Sequence, residues 1–355
     1  MRKIDDLYTG RRINFMRWFE YLTRRLLWAI LVIISVSIIT FTVARVIPSD
    51  PAAAWVGSHP TPEQIARARI ELELDRPLWV QYYYYARDLL SGNFGTSIHS
   101  HQPIASDIRT YLPATMELVL AAMFIAIVIG IPLGVLSGAK KGSILDHLTR
   151  LISIAGVSMP TFWLGLLLQL FFFGLLGILP IGARLSNEVA LNSPVVKITG
   201  FYLIDSAVTG NWVAFKDVLL HLILPSFTLS TYPIGLVIRM TRSSMVEVLN
   251  ENYILAARVA GIPERTVLFV LALKNAIIPT ITVLGLSFVY SLTGAILVEV
   301  IFSWAGLGKY TTDAILSIDF PVIVTVTLVI TIFYVLINLF LDLIQAAVDP
   351  RVSLQ

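Results

Sequence analysis

The sequence predicts an all-α integral membrane protein, and three observations carry that prediction. Hydrophobic residues make up 56% of the 355-residue chain and charged residues only 14%, where a soluble chain carries about a quarter charged. Mean hydropathy is correspondingly high, at +0.79. The apolar residues gather in six runs of roughly 20 residues, the length at which a helix crosses a bilayer. Lys and Arg are distributed unevenly among the intervening segments. Cysteine is absent, which excludes disulfides, thiolate metal sites and cysteine nucleophiles. The net charge of +3 reflects basic loops rather than a polyanionic partner such as nucleic acid.

The first apolar run spans 26–46, behind a polar segment 1–25 that ends in Arg24-Arg25. It is too long for a signal-peptide core and is read as retained. The second covers 114–137 and stops before Lys140-Lys141; the third covers 151–179, the fourth 218–240, the fifth 276–301 and the sixth 322–346, with a tail at 347–355. Each is predicted to be helical, because lipid offers backbone polar groups no other partner. Arg45 stands at the end of the first run. With the N-terminus inside, sixteen of the other Lys and Arg residues fall in cytoplasmic segments and nine outside. Both termini are therefore expected in the cytoplasm of a multi-pass cell (plasma or inner) membrane protein.

Two outer segments exceed simple turns. Residues 47–113 hold two amphipathic stretches and the run Tyr82–Tyr85 behind Trp79, read either as a helical cap on the membrane or as a surface that meets a partner or funnels a substrate. Residues 180–217 mix Asn, Ser, Thr and Gly with apolar residues.

Catalytic signatures are missing. Gly306-Leu307-Gly308-Lys309 is followed by Tyr310 and lacks the spacing of a phosphate-binding loop, and none of the five histidines forms H-E-x-x-H. His99 and His101 alternate as two metal-ligand types without a third. Charges near the membrane are costly to bury and need a reason. Arg45 is expected to snorkel or pair with Asp50. Glu117 and Glu299 each either line an aqueous path or pair with a basic residue, and Asp342 is paired or wet. They do not form the string of acids expected of a proton-coupled pump.

The segment 241–275 is the most informative. Asn252 is a helix-capping type, 253–260 are helix formers, Gly261 suits a left-handed helix end, and Pro263 suits the first position of a second helix with Glu264 beside it. A short helix, an elbow and a second helix leading to Pro279 are predicted. Ala256, Ala257 and Ala260 give the first helix a low-profile face.

Ala256-Ala257, then Gly261, then Ile277-Ile278-Pro279 resembles the E-A-A…G…L-P signature of ABC importer permeases. The surrounding run Asn252-Tyr253, Glu264-Arg265 and Lys274-Asn275-Ala276 is similar to the dipeptide/oligopeptide/nickel permease family. So are Ile47-Pro48-Ser49-Asp50-Pro51, Leu74-Asp75-Arg76-Pro77, Gly130-Ile131-Pro132-Leu133-Gly134, Ser158-Met159-Pro160-Thr161-Phe162-Trp163, Phe302-Ser303-Trp304-Ala305-Gly306-Leu307-Gly308 and Asp349-Pro350-Arg351. Leu255 stands where the general signature has Glu, and Ala305 where the family often has Pro.

The resemblance implies a type I ABC importer permease with a cytoplasmic coupling helix and an extracytoplasmic helical cap. Its expected partners are a homologous second permease, two ABC ATPases that bind ATP and Mg, an extracytoplasmic solute-binding protein and the lipid bilayer; the chain itself holds no cofactor and no catalytic site. Tyr253, Leu255, Ala256, Ala257, Gly261, Glu264 and Arg265 are the implied coupling residues. Thr282, Ser287, Tyr290, Ser291, Thr293 and Met159 are candidates for the translocation path. Di- and oligopeptides are the expected cargo. The alternatives are oligosaccharides, nickel, or an autonomous secondary transporter.

Overall fold

The computed structural model describes residues 23–43, 52, 56, 60–71 and 74–348. These residues are almost wholly helical, with one isolated bridge between Thr96 and Pro103. The long apolar helices are α1 (Thr23–Val43), α4 (Ile104–Ala139), α9 (Trp212–Val248), α12 (Leu273–Ile301) and α14 (Phe320–Val348), the short α13 (Leu307–Leu316) preceding the last. Between α1 and α4 lie α2 (Pro62–Glu71) and α3 (Leu78–Leu90). Arg45 and the 349–355 tail lie outside the described residues, as does the side chain of Asp342.

The third apolar run is not one straight helix. It comprises α5 (Ile144–Ser158) and α6 (Thr161–Leu168), which meet at 106°. Met159 and Pro160 form the corner, both extended, at φ −79° and −60°. Pro160 provides no backbone N–H for a continuing helix and disfavours helical geometry in Met159 before it. Beyond α6 the chain widens into a π-helical stretch, Gln169–Leu175.

The other helices overrun their apolar cores. α4 begins ten residues before Ala114 and α9 starts at Trp212 and continues to Val248. Hydropathy marks what lipid requires, whereas backbone hydrogen bonding continues while water or protein can solvate the polar turns. The segment 180–217 folds into α7 (Asn187–Asn192) and α8 (Tyr202–Val208) before α9 starts.

The chain divides into two compact units, residues 1–105 with 314–355 and residues 106–313. In the first, Phe41 of α1 packs on Tyr82 and Tyr85 of α3, each at a ring-centroid distance of 5.4 Å. A three-residue spacing puts both on one helix face. Tyr83 points outward, and Tyr84 lies under the guanidinium groups of Arg76 and Arg87. Burial pushes the Tyr85 phenol up to about 12. The turn at 97–101 is fastened by Asp319, which accepts from Ser97 Oγ at 2.6 Å and from the His99 backbone at 3.1 Å. His99 and His101 are exposed.

In the second unit, α9 packs extensively on both α12 and α5. Gly130, Gly134 and Gly138, one every four residues, run down the side of α4 that meets α9. A Cβ at these positions would stand 2.7 Å from Val237 Cγ1, 2.6 Å from Thr241 Cβ and 2.7 Å from Met245 Cβ. Small residues at this spacing let two membrane helices come close along several turns.

Candidate coupling surface and buried polar clasps

The predicted short helix is present as α10 (Asn252–Val259). Its N-cap is Glu251 rather than Asn252, with no side-chain bond to the helix amides. Gly261 takes the left-handed conformation at φ +75°, and the Ile262 amide donates to the Ala257 carbonyl at 3.1 Å. Pro263 precedes the next short helix, α11 (Glu264–Thr266), as its N-cap, one position earlier than expected. A π-helical stretch, Val267–Ala272, then leads into α12. Glu264 folds back onto Arg258 through a two-bond ion pair at 2.8 and 3.2 Å, which raises the Arg258 pKa. Both partners are partly exposed, so the pair contributes little to stability.

α10 has two unlike faces. Ile254 and Ala257 are buried in a cluster with Val135 of α4, Met245 of α9, Val267, Leu268, Ala272 and Ala276. Leu255, Ala256, Val259 and Ala260 are exposed, Leu255 at 62% and Val259 at 83%. Their spacing of one, four and five puts them on one side of the helix. This corrects the expectation for Ala257. The residue lies on the inward side, buried against the cluster, and the low-profile outer face belongs to Ala256 and Ala260. Tyr253 is half exposed and accepts from Asn275 Nδ2 at 2.7 Å, while Glu264 and Arg265 lie in the open beside the elbow.

A polar clasp sits on the same end of the unit. Asp146, 1% exposed, accepts from Nε and Nη2 of Arg242 in a bidentate pair at 2.5 and 2.9 Å, and also accepts from Ser137 Oγ and the Gly142 amide. It joins α4, α5 and α9 just before α9 delivers Met245 to the α10 cluster. Charge-assisted, two-point bonds of this kind fix geometry as well as contributing energy.

Two buried acids occupy the other end. Glu117 of α4 pairs with Arg184 at 2.6 Å, with side-chain exposures of 4% and 7%. Its other oxygen accepts from the Leu203 amide at 2.8 Å. Arg184 also donates to the Gly200 carbonyl and lies over the Tyr202 ring at 3.7 Å. Of the two readings left open for Glu117, the structure selects pairing with a base. Glu299 is instead wrapped by neutral donors: Thr115 Oγ1 at 2.6 Å and the amides of Gly308 and Lys309 at 2.7 and 3.0 Å. The loop 302–309 closes tightly around it, with Trp304 fully buried and donating to the Ala114 carbonyl.

The path candidates separate onto two faces of α12. Ser287 and Ser291 are 1% exposed, and their hydroxyls have no partner among the described residues. Tyr290 and Thr293 lie on the exposed face with Leu286, Leu297 and Val300. Tyr290 stacks on Tyr232 of α9 at 4.4 Å. Thr282 is half-buried, and Met159 marks the α5–α6 corner.

Residues 130–354 match the family model for the binding-protein-dependent transport system inner membrane component, and residues 18–119 match the model for its N-terminal region. The chain belongs to that family. It is 42% identical to the probable D,D-dipeptide transport system permease protein DdpB of Escherichia coli K12, covering 95% of this chain and 98% of the relative. The dipeptide transport system permease protein DppB of Alkalihalophilus pseudofirmus is 43% identical, over 94% of this chain and 99% of that one. A solved chain of the MetNI methionine ABC transporter, inward facing, aligns at a TM-score of 0.49 with 17% identity, over 66% of this chain and 93% of that one.

Two features of the permease are missed by reading its motifs alone. Asp146 reads as an ordinary loop acid after Lys140-Lys141, and Arg184 as one more outer base. An acid or base within a turn or two of an apolar boundary is the pattern that could have flagged both.

Proposed function

We propose that this permease passes di- and oligopeptides into the cytoplasm by alternating access, and that α10 is the surface through which separate ATPase subunits drive it. The two-faced geometry of α10 carries the reading. One side is packed into the ends of α4, α9 and the start of α12, and the other offers Leu255, Ala256, Val259 and Ala260 as a shallow apolar stripe. A helix held in this way transmits a push as a rigid lever, and small side chains let a partner approach its backbone. The peptide cargo is supported by the full-length relatives, named as dipeptide permeases.

In this reading both termini are cytoplasmic, with α10 on that side. A homologous second permease completes the path, and a solute-binding protein delivers cargo from outside. Two ATPases bind ATP and Mg, and this chain breaks no bond. Tyr290 and Thr293 face the second permease or the path, Ser287 and Ser291 line the seam behind them, and Thr282 and Met159 lie further along. Directional transport follows when nucleotide and binding protein prefer opposite conformations.

The test uses the whole complex in vesicles. Ala256→Glu and Ala260→Glu should abolish peptide-stimulated ATP hydrolysis and uptake while the chain still inserts, and Ser91→Glu, also exposed, should not. Full coupling in both α10 variants refutes the surface. Uptake of a disaccharide but not of a dipeptide refutes the cargo.

A further inference from the structure

The segment 180–217 has no role in the coupling scheme, yet it builds a cavity of about 450 Å³ against the start of α4. Arg109, on α4, and Lys197, ahead of α8, both line it, with Leu112, Pro113, Ile198 and Tyr202 supplying apolar wall. Both basic side chains are exposed, and neither forms an ion pair among the described residues. The lining contains no acid. Asp205 is buried and already accepts from Ile198, Thr199 and Gly200.

In the membrane-permease reading the cavity falls at the level of the lipid headgroups. Arg109 precedes Ala114, where the apolar run starts, by five residues of helix, about 7 Å at 1.5 Å each; the headgroup layer is roughly that thick. Val196 and Ile198, on either side of Lys197, are about three-fifths exposed, and Trp212 is 65% exposed. Asn211 ties the 193–194 stretch to the start of α9 through its amide and carbonyl. Tryptophan beside exposed apolar residues and free bases is the composition of an interfacial rim.

We propose that this cavity holds the phosphate of an anionic phospholipid, clamped by Arg109 and Lys197, with Leu112, Pro113 and Ile198 against the glycerol end of its chains. A dipeptide matches less well, because its ammonium group would meet two cations and no carboxylate. The lipid bridges α4 to the 197–200 turn, whose Gly200 carbonyl holds Arg184. The proposal rests on the membrane-permease reading only for the level of the cavity.

The test is native mass spectrometry of the purified complex titrated with phosphatidylglycerol or phosphatidylcholine. Arg109→Gln with Lys197→Gln should weaken phosphatidylglycerol retention roughly thirtyfold, about fivefold for each base. Arg109→Lys with Lys197→Arg should retain it, and phosphatidylcholine, whose choline cation offsets the phosphate and meets the same two bases, should bind the parent more weakly than phosphatidylglycerol does and lose less in the glutamine pair. Unchanged retention in the glutamine pair overturns the site. Displacement by millimolar inorganic phosphate makes it a free-anion site, and displacement by alanyl-alanine makes it a peptide site; either overturns the lipid assignment. If the glutamine pair does not assemble, Lys197→Gln alone, an exposed change, must show the smaller loss. Assembly with the ATPases is scored separately, so failure of the lipid site leaves the importer reading intact.

Discussion

Removing Arg184 is the sharpest test of how the 180–217 segment is anchored. Its guanidinium meets Glu117 at 2.6 Å with both side chains over 90% buried, so neither charge has water to fall back on. Arg184→Met keeps an unbranched apolar stem beneath Tyr202 but leaves Glu117 with the Leu203 amide alone. A buried pair broken on one side loses about 3–5 kcal/mol, and at about 2–4 °C per kcal/mol the melting point should fall by roughly 6–20 °C. Adding Glu117→Gln removes the orphaned charge while its amide oxygen can still accept from Leu203. The double variant should return to within about 1 kcal/mol of the parent, because a buried pair contributes little net once both charges are gone. The assay is thermal unfolding of the purified complex at one scan rate, since membrane assemblies unfold irreversibly. A double variant that melts as low as Arg184→Met alone would refute the argument, placing the effect in lost packing rather than in an uncompensated carboxylate.

Gly306→Ala would put a methyl 2.5 Å from the Glu299 carboxyl carbon, and Gly308→Ala one 2.5 Å from Ile296 Cα; each should destabilise the 302–309 loop by about 1–3 kcal/mol, read as a lower melting point, and an unchanged one contradicts the packing. At Gly261 a Cβ meets nothing within 4 Å at φ +75°, so Gly261→Ala should lose only the left-handed backbone term, about 1–2 kcal/mol, with Gly261→Asn partly restoring protection of the α10 amides in hydrogen exchange. Burial opposes ionisation of Asp205, but bonds from Thr199, Ile198 and Gly200 outweigh it and hold its pKa below the usual value. A depressed folded pKa contributes stability above the unfolded value near 4, lost as pH falls through the folded one; protection at 198–200, taken relative to the intrinsic exchange rate at each pH, should therefore hold from neutrality to about pH 5 and fall below about 4, with the acid dependence absent in Asp205→Asn. In this cysteine-free chain, thiol reagents should label cysteines at Tyr290 and Thr293 in the assembled transporter in at least one nucleotide state and spare those at Ser287 and Ser291; the reverse pattern would exchange the two faces of α12.

The helical class was legible because lipid leaves so little choice: a long apolar run without charge has to be helix. The elbow at Gly261 was legible for a similar local reason, since glycine followed by proline two residues later can hardly continue a helix. The corner at Pro160 sits inside an apolar run, where hydropathy averages over it, although Met159-Pro160 carried the signal in its backbone preferences. The facing of Ala257 was not legible. Three alanines at 256, 257 and 260 fall within an arc of about 100°, and only the cluster around Met245 and Val267 decides that Ala257 lies on its inward edge. Glu117 and Glu299 were recognisable as acids in need of explanation, but their partners come from residues 67 and 184 positions away, and no local rule reaches that far.

The glycine stripe on α4 also matters during synthesis. Gly130, Gly134 and Gly138 meet Val237, Thr241 and Met245 of α9, which leave the ribosome only after α5, α6, the 180–217 segment and the first half of α9 have followed. At about 5–20 residues per second, the roughly one hundred intervening residues keep that bare backbone face waiting for on the order of 5–20 s. Throughout that interval it is as open to a GxxxG-like helix of another nascent chain as to its own partner. Fidelity of assembly thus depends on how crowded the insertion site is as well as on the finished fold.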